Sequence, residues 1–431
     1  MAQSTATVLA ETVAGVSVIL VAGSLLVPVL RRLRQPPVIA EIVAGIMLGP
    51  SLLGLLPGDL PTHLFPQETR LGLSSIAQVG ILLFMFLIGW EADLGQIKAR
   101  RTTVFSISLS AMALPFGTGV ALAYWLYNDH ATVGDHEVGR TAFVLFVGTA
   151  MAITAFPVLA RIIQEHRLQH TRVGILALAS AAMDDVVAWC MLAVVSMVAV
   201  SSDAGHLLSV VGGSLLYLAA LFVVVRPLLR MLVERLTRND VVSPRLLPVI
   251  AAGVFVSGYA THELGLDAIF GAFVFGLIMP RGSMKVLRSQ VNVPFEHITT
   301  LLMPIFFITT GLSVDVTALG GTGLLELLAI VGIACFGKMA GATGAARLSG
   351  MSWRESSVIG LLMNTRGLTE LIILNAGVSM GVLDNRMFTM MVLMALITTA
   401  MAGPLVPRRA YARADDELRI DDAVFEEARA K

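Results

Sequence analysis

Apolar runs about as long as a bilayer is thick recur along the whole sequence, and they constrain the fold more than any other feature. A helix needs about 20 apolar residues to cross the hydrocarbon core of a membrane. The chain is 56% hydrophobic and 14% charged, whereas soluble proteins are about one quarter charged. The sequence therefore predicts an all-α protein that crosses a membrane many times. Thirteen spans are predicted, at 7–30, 37–56, 73–92, 102–127, 141–162, 172–200, 207–233, 246–262, 264–280, 296–314, 321–346, 355–378 and 386–406.

The first run and the cysteines both argue against a secreted protein. The basic cluster RRLRQPP follows the first run rather than preceding it, which is the reverse of a cleavable signal peptide. We therefore expect a retained span. Cys190 and Cys335 lie in apolar runs and are expected to be small core residues rather than a disulfide.

Basic residues alternate between successive loops and predict the orientation of the chain. Segments such as GQIKARR, RPLLRMLVERLTRND and PRGSMKVLRS lie in every second loop, while the other loops contribute only Arg70, Arg140 and Arg386. By the positive-inside rule, the N-terminus is predicted outside and the C-terminus in the cytoplasm. The expected location is the inner membrane of a bacterial cell.

The spans predict one membrane domain and a short tail. Residues 1–406 form the predicted transmembrane domain, and residues 407–431 form a cytoplasmic tail that is either a surface helix or disordered. Thirteen spans allow two sets of six around a linker, which would place the halves in opposite orientations as an inverted repeat. The formal net charge is zero, so nothing suggests a nucleic-acid partner.

Two adjacent acids, Asp184 and Asp185, interrupt the apolar run SAAMDDVVAWCML. Ionisable residues deep in a span are costly and are functional candidates. Neighbouring residues on a helix point about 100° apart, and two like charges side by side favour binding of a proton or of a small cation. The alternative is a structural pair held by neighbouring helices. Acids close to a span end are expected to cap or snorkel instead: Glu41, Glu91, Glu263, Glu326 and Glu355.

Lys338 lies near the centre of the span 321–346 and needs a negatively charged partner. The deep carboxylates available to it are the aspartate pair and Glu370, and we expect Asp184 to be the partner. Nearby Gly337, Gly341 and Gly344 form a small-residue face that allows close approach of another helix.

Two spans are predicted to be interrupted. Pro157 lies within GTAMAITAFPVLAR, where a proline removes a backbone donor. In LLMNTRGLTELIIL, the residues Asn364 to Gly367 are poor formers of a helix interior. If that helix unwinds, Arg366 ends its first half and Glu370 begins the second, each favourable for the helix dipole. The alternative is an Arg–Glu pair one turn apart on a continuous helix. Irregular backbone at this depth points to a binding site.

Six motifs in order along the chain resemble the cation:proton antiporter-2 family, especially its plant cation/proton exchanger branch. They are RQPPVIAEIVAGIMLGPSLLG, ITAFPVLARII, AAMDDVVAW, IFGAFVFGLIMP, GKMAGA and MNTRGLTELIILNAG. The resemblance implies the sodium/proton antiporter fold and a homodimer. It implies a core that moves against a dimer or scaffold region. We assign the core to about 102–200 and 321–406, and the scaffold to about 7–92 and 207–314.

The resemblance also implies roles for single residues. Asp185 resembles the aspartate that binds cation and proton, Asp184 its partner that bridges to lysine, and Lys338 that lysine. Thr154 and Pro157 resemble positions in one crossing helix, and residues 364–370 the other. The plant branch usually has Asn-Asp at this motif, so the two aspartates resemble electrogenic bacterial antiporters instead. Potassium-efflux relatives carry nucleotide-binding domains, which are not expected within these residues.

The sequence thus predicts a membrane antiporter that exchanges Na⁺ or K⁺ for H⁺ by alternating access. It is expected to need no cofactor and to be no enzyme, since no nucleophile and base are placed together. One alternative is a potassium efflux or leak pathway with weak proton coupling. Another is a membrane sensor that does not transport.

Overall fold

The apolar runs form long helices joined by short connections. The computed structural model describes residues 5–33, 35–58, 60–91, 101–134, 136–166, 168, 171–200, 204–238, 241–264, 266–280 and 287–406. The tail 407–431, with its predicted surface helix or disorder, lies outside these residues. The helices are α1 Thr5–Arg32, α2 Pro37–Leu48, α3 Leu60–Leu64, α4 Gln67–Glu91, α5 Arg101–Leu126, α6 Arg140–Ala152, α7 Phe156–Glu165, α8 Arg172–Val200, α9 Ala204–Ala220, α10 Arg226–Leu236, α11 Leu246–Glu263, α12 Ala268–Leu277, α13 Val293–Leu312, α14 Gly320–Leu348, α15 Trp353–Met363, α16 Leu368–Ser379 and α17 Asn385–Leu405.

Two antiparallel pairs of very short strands lie in the connections. Thr132–Val133 (β1) pairs with His136–Glu137 (β2) between α5 and α6, and Thr237–Arg238 (β3) pairs with Val241–Val242 (β4) after α10. A π-helical stretch, Leu221–Val225, joins α9 to α10 without a break in the helix. These pairs are turns between helices and add no sheet to the architecture.

Every predicted span coincides with a helix or with two consecutive helices. The boundary near THELGLD, the least certain from the sequence, is present because α11 ends at Glu263 and α12 begins at Ala268. The span predicted at 37–56 is shorter as a helix: α2 ends at Leu48, just before Gly49 and Pro50. In the described part of the chain, eight helical segments are long and apolar enough to cross a membrane, and shorter apolar helices accompany them. The total of thirteen crossings stays a prediction.

Side chains cap several helix ends. Ser352 and Glu355 form a reciprocal capping box at the start of α15, which is the capping role expected for Glu355. Asp384 accepts a hydrogen bond from the Met387 N–H at the start of α17, and Asp267 accepts one from the Ile269 N–H at the start of α12. Each carboxylate satisfies a backbone donor that the helix leaves free.

The helices pack most extensively within two groups. In one, α5 packs along α14, and α6, α8, α15 and α17 surround this pair. In the other, α4 packs on α12 and α13, and α1, α2 and α11 complete the group. The first group draws on the two stretches predicted as the core and the second on those predicted as the scaffold. The division into a moving core and a dimer scaffold stays a prediction.

The close contact between α5 and α14 depends on two of the three glycines expected to provide it. A Cβ atom added at Gly341 would lie 2.4 Å from the Ser110 carbonyl oxygen, and one at Gly337 would lie 2.9 Å from the Pro115 Cα. Only glycine permits this approach. Gly344 has open space at its Cβ position, so its predicted part in the small-residue face is wrong.

The two cysteines are free thiols, in agreement with the expectation that they form no disulfide. Cys335 is half-buried, but Cys190 is exposed on the helix surface. The expectation that both are core residues is wrong for Cys190, because it lies on a face of α8 turned away from the neighbouring helices.

Candidate functional site

The two predicted interruptions are present, and the two breaks lie against each other. The first separates α6, which ends at Ala152, from α7, which begins at Phe156; the second separates α15 from α16. The Ala155 N–H donates to the Thr365 carbonyl oxygen at 3.1 Å, and the Thr154 hydroxyl donates to the Met363 carbonyl oxygen at 3.2 Å. The unwound backbone of each break therefore supplies hydrogen-bond partners for the other, as buried irregular backbone requires.

Local chemistry explains where each helix stops. Pro157 lies in the first turn of α7, where its missing N–H costs nothing, so the break precedes the proline. Asn364 ends α15, and Gly367 precedes α16 with φ +154°, a conformation that other residues rarely adopt. A Cβ at Gly367 would also lie 2.8 Å from Val158 Cγ2. The second break therefore requires glycine for two independent reasons.

Two buried cations cap the end of α6. The last carbonyl groups of a helix have no partner within it and carry the negative end of its dipole. Arg366 donates to the carbonyl oxygens of Ala150, at 2.8 Å, and Met151, at 2.6 Å, while Lys338 donates to that of Ala152. Arg366 was expected to serve the end of its own half-helix. It serves α6 instead, because the breaks cross and bring that end within its reach.

Glu370 occupies the first turn of α16, as predicted, and is also paired with Arg366. Arg366 Nη1 lies 3.1 Å from Glu370 Oε1, and both side chains are fully buried. The sequence left two alternatives open, an interrupted helix or an ion pair one turn apart. The structure has both, since the pair spans the start of α16 rather than a continuous helix.

Asp184 is held by donors on both of its carboxylate oxygens. Ser108 of α5 donates to Oδ1 at 2.5 Å, and Thr154 in the first break donates to Oδ2 at 2.8 Å. Lys338 Nζ lies 3.4 Å from Oδ2. The pairing of Lys338 with Asp184 is the one expected from the sequence. All four side chains are buried, so Asp184 is fixed in position and nearly saturated with donors.

Asp185 has far fewer partners. The Thr369 hydroxyl lies 3.5 Å from its Oδ1, and the backbone N–H of Phe156 is a second donor. Among the described residues, no basic side chain lies within ion-pairing distance of this carboxylate, although only 3% of its surface is exposed. A buried carboxylate in such surroundings favours binding of a proton or a cation.

The charges around the crossing are not balanced by the protein alone. Three buried carboxylates, Asp184, Asp185 and Glu370, face the two buried bases Lys338 and Arg366. With all five ionised, one negative charge is left, which a single proton or monovalent cation neutralises. No group of three histidine, cysteine or acidic residues suited to a resident metal occurs in the described part of the chain.

A polar cavity of about 210 Å³ lies between the second helix group and α16, which packs on α6 and α17 of the first group. Gln78 of α4, Asp267 at the start of α12 and Thr310 of α13 line one side, and Asn375 of α16 lines the other. The Asn375 amide donates to the Thr310 hydroxyl at 3.2 Å. The cavity begins at Ile372, one helical turn from Thr369, which contacts Asp185. The cavity thus extends from Ser313 and Ser379, at the ends of α13 and α16, to within one helical turn of the residue that contacts Asp185.

Sequence reasoning missed Ser108 and Thr369. Each is a single hydroxyl in or beside an apolar helix, and the sequence carries no signal for which hydroxyls face a carboxylate in another helix. The sequence could have suggested Thr369, because it directly precedes Glu370 in a segment predicted to be interrupted. Ser108 is brought to Asp184 only by the packing of α5 on α8.

Comparison with known proteins agrees with this geometry. The family model for the transmembrane sodium/hydrogen exchanger matches residues 17–409. Cation/H(+) antiporter 20 of Arabidopsis thaliana is 38% identical over 90% of this chain and 47% of its own length. K(+)/H(+) antiporter 1 of Saccharomyces cerevisiae is 35% identical over 86% of this chain and 43% of its own. The chain thus spans about half the length of these relatives.

A further relative is matched over nearly its full length. Na(+)/H(+) antiporter NhaS4 of Synechocystis sp. is 37% identical over 87% of this chain and 91% of its own. Among solved structures, the sodium proton antiporter MjNhaP1 of Methanocaldococcus jannaschii covers 94% of this chain and 97% of its own with a TM-score of 0.63, at 14% identity. The sequence identity is too low to transfer function, but the fold is shared. On these grounds the chain belongs to the sodium/hydrogen exchanger family of membrane transport proteins.

Proposed function

We propose that this protein exchanges a monovalent cation, Na⁺ or K⁺, for protons across a membrane. The observation that carries the proposal is Asp185, a buried carboxylate beside two crossed helix breaks, with no basic partner among the described residues. A group that binds either a proton or a cation, but not both, couples the two fluxes in opposite directions. The names of the relatives, which include Na(+)/H(+) and K(+)/H(+) antiporters, support the same activity.

The two aspartates take different parts in this proposal. Asp185 exchanges its proton for the cation, with Thr369 supplying a further oxygen ligand. Asp184 holds Lys338 and is held by Ser108 and Thr154, so it fixes the helices around the site. The division follows from the number of donors that each carboxylate already has.

We propose that the site opens to the two sides of the membrane in turn, by alternating access. The cavity lined by Gln78, Asp267 and Asn375 gives cations a polar route toward Asp185 from the side opposite the basic loops. Its walls come from the second helix group and from α16, which packs on the first, so sliding of the predicted core against the predicted scaffold would close it. Breaking the Asn375–Thr310 hydrogen bond is part of that movement. We propose a homodimer in a bacterial inner membrane, with the N-terminus outside, the C-terminus cytoplasmic, a role in pH homeostasis, no cofactor and no enzyme activity.

The test is proton flux in proteoliposomes that contain the purified protein and a trapped pH indicator. Na⁺, K⁺, Li⁺ or Rb⁺ is added outside the vesicles in turn, with no pH gradient imposed. A cation that the protein transports should drive protons out of the vesicles, and a cation that it does not transport should leave the internal pH unchanged. Liposomes with the Asp185→Asn variant are the control. Flux of a labelled cation with no proton movement would instead support a leak pathway, and no flux of either kind would contradict the proposal.

We also propose that the exchange is electrogenic, two protons for one cation. One proton leaves Asp185. The second leaves Asp184 where that carboxyl is protonated before the cation arrives, or the Lys338 ammonium where the arriving cation weakens its pair with Asp184. Current recorded from proteoliposomes on a solid-supported membrane after a sodium step tests this directly. A net current that Asp184→Asn abolishes is expected. Exchange detected by pH without any current would mean that Asp184 stays paired throughout.

A further inference from the structure

A second cluster of charged side chains, centred on a buried histidine, lies at the loop end of the same helix group, far from the aspartates in sequence. His130 follows α5 in the connection to α6, and its side chain is fully buried. Its Nδ1 lies 2.6 Å from Asp384 Oδ2 and its Nε2 lies 3.4 Å from Glu326 Oε2. One imidazole ring thus faces a carboxylate at each nitrogen.

The remaining charged groups around the ring are two arginines on different helices. Arg386 of α17 lies 3.1 Å from the same Glu326 oxygen and donates to Thr322 of α14 at 2.9 Å. Arg140 at the start of α6 lies over the Tyr127 ring, and Phe143 of α6 stacks on His130 with ring centroids 6.4 Å apart. Glu326 and Asp384 are therefore the acids that face the imidazole, and Arg386 and Arg140 the bases nearby.

The protonation state of the ring decides how many of these contacts hold. A neutral imidazole has one N–H, so it donates to only one carboxylate and turns a lone pair toward the other. An imidazolium has an N–H at each nitrogen and so offers one to each carboxylate. With His130 neutral and bonded to Asp384, the bare Nε2 faces Glu326, which then depends on Arg386 alone. With His130 charged, two acids and the two bases His130 and Arg386 balance.

We propose that His130 is a proton-binding site separate from the aspartates, and that its protonation clamps the loop ends of α5, α14 and α17 together. Asp384 is also the N-cap of α17, in the short connection that follows α16. The clamp therefore fixes the end of the half-helix that carries Thr369 and Glu370. Acid on this side of the membrane would tighten the helix group, and alkali would loosen it.

The electrostatics of the cluster agree with this assignment. Burial lowers the pKa of His130, but its hydrogen bond to Asp384 and the charges of Asp384 and Glu326 outweigh burial and raise the pKa above 6.5. Burial acts to raise the pKa of Asp384, yet the hydrogen bond from His130 leaves it lowered. Since the folded-state pKa of His130 is raised, its stabilisation is full below about pH 6.5 and is lost as pH rises through the folded value.

The experiment is thermal unfolding of the purified full-length protein between pH 5.5 and 9, for the wild type and His130→Gln. Glutamine keeps one N–H donor but carries no charge. We expect the wild type to melt several degrees above the variant at pH 5.5, and the difference to vanish toward pH 9. His136→Gln, at an exposed histidine in β2, should follow the wild type throughout.

A difference between wild type and His130→Gln that stays constant across this pH range would overturn the proposal. If His130→Gln fails to fold, Glu326→Gln serves instead: only Asp384 then faces the ring, so the melting temperature should depend on pH less than in the wild type, and an unchanged dependence would contradict the proposal. NMR titration of labelled histidines in the wild type gives an independent reading: a resonance that titrates above 6.5 supports the clamp, and none above 6.5 contradicts it. None of these measurements uses transport, so their outcome is independent of the proposed exchange.

Discussion

Two clusters of acidic and basic side chains, one buried at the helix crossing and one centred on the buried His130, differ in how their carboxylates are paired. Around His130, each acid has a basic group within 3.4 Å: Asp384 has His130, and Glu326 has both His130 and Arg386. At the helix crossing, Asp184 has Lys338 and Glu370 has Arg366, but Asp185 is left with a hydroxyl and a backbone N–H.

This difference in pairing distinguishes carboxylates that stabilise helix packing from a carboxylate that exchanges ions. Removing an ion from water costs several kcal/mol, and a close partner of opposite charge offsets that cost. A carboxylate that has such a partner gains little from a transported cation. One that lacks it is neutralised by whichever ion reaches it, and so can trade one for another. The comparison therefore predicts opposite effects of mutation in the two clusters.

The largest effect is expected on activity at Asp185. Asp185→Asn removes the charge and the exchangeable proton while keeping the size, so cation-coupled proton flux should fall at least about a hundredfold. The melting temperature should stay the same or rise, because an unpaired buried charge is lost. Asp384→Asn is the matched change in the other cluster, and asparagine still caps a helix. It should lower stability and keep exchange; loss of exchange in both variants would erase the distinction.

The next largest effect is on stability at Lys338. Lys338→Met leaves Asp184 buried without its base and the Ala152 carbonyl without its donor, which should cost about 3–5 kcal/mol of unfolding free energy. Adding Asp184→Asn should recover part of this loss, since the orphaned charge disappears. Chemical denaturation of the two single variants and the double variant measures the coupling. Additive losses would mean that Lys338 and Asp184 do not stabilise each other.

A smaller loss of unfolding free energy is expected for substitution of Glu326 in the His130 cluster. Glu326→Gln removes the acid shared by His130 and Arg386, and Arg386 is 31% exposed, so water replaces part of the interaction. The expected cost is about 1–3 kcal/mol at pH 6, with exchange activity retained. Denaturation at that pH checks the value. A loss as large as that of Lys338→Met would show that both clusters depend on ion pairing equally.

The smallest effect is expected at Asp267, an acid that lines the cavity. Its negative charge attracts cations, and one charge about 8 Å away in water contributes about 0.5 kcal/mol, or two- to threefold in apparent affinity. Asp267→Asn removes the charge and keeps the cap on α12. The KM for the cation should rise by about this factor with kcat unchanged, and the effect should fade at high ionic strength. An unchanged KM would exclude this route.

Sequence reasoning located the aspartate site but not the His130 cluster, for physical reasons. Asp184, Asp185 and Lys338 stand out because each lies near the middle of an apolar run, where a charge is expensive. The two breaks stand out because proline, asparagine and glycine are poor in helix interiors. His130 and Asp384 lie in polar connections and Arg386 in the first turn of α17, where such residues are ordinary. Glu326 was considered a span-end residue, and only the folding of three helix ends together shows its partners.

Two wrong predictions, for Arg366 and Gly344, have the same cause: contacts between helices are not visible in the sequence. Arg366 was assigned to the end of its own half-helix, because a sequence does not show that the end of α6 lies closer. The i, i+4, i+7 spacing places Gly344 on the same face of α14 as Gly337 and Gly341, but no neighbouring atom lies within 4 Å of its Cβ position, so α5 does not approach it. Periodicity identifies faces, while contacts across helices depend on packing that no local pattern encodes.

Proton release on cation binding tests the central claim most directly. Purified protein in weakly buffered detergent solution, titrated with Na⁺ or K⁺ and followed with a pH indicator, should release protons as the cation displaces them from Asp185. Asp185→Asn should release none, and Asp184→Asn should still release one proton for each cation bound. Equal proton release by the wild type and Asp185→Asn would contradict the account, because the exchanging carboxylate would then lie elsewhere.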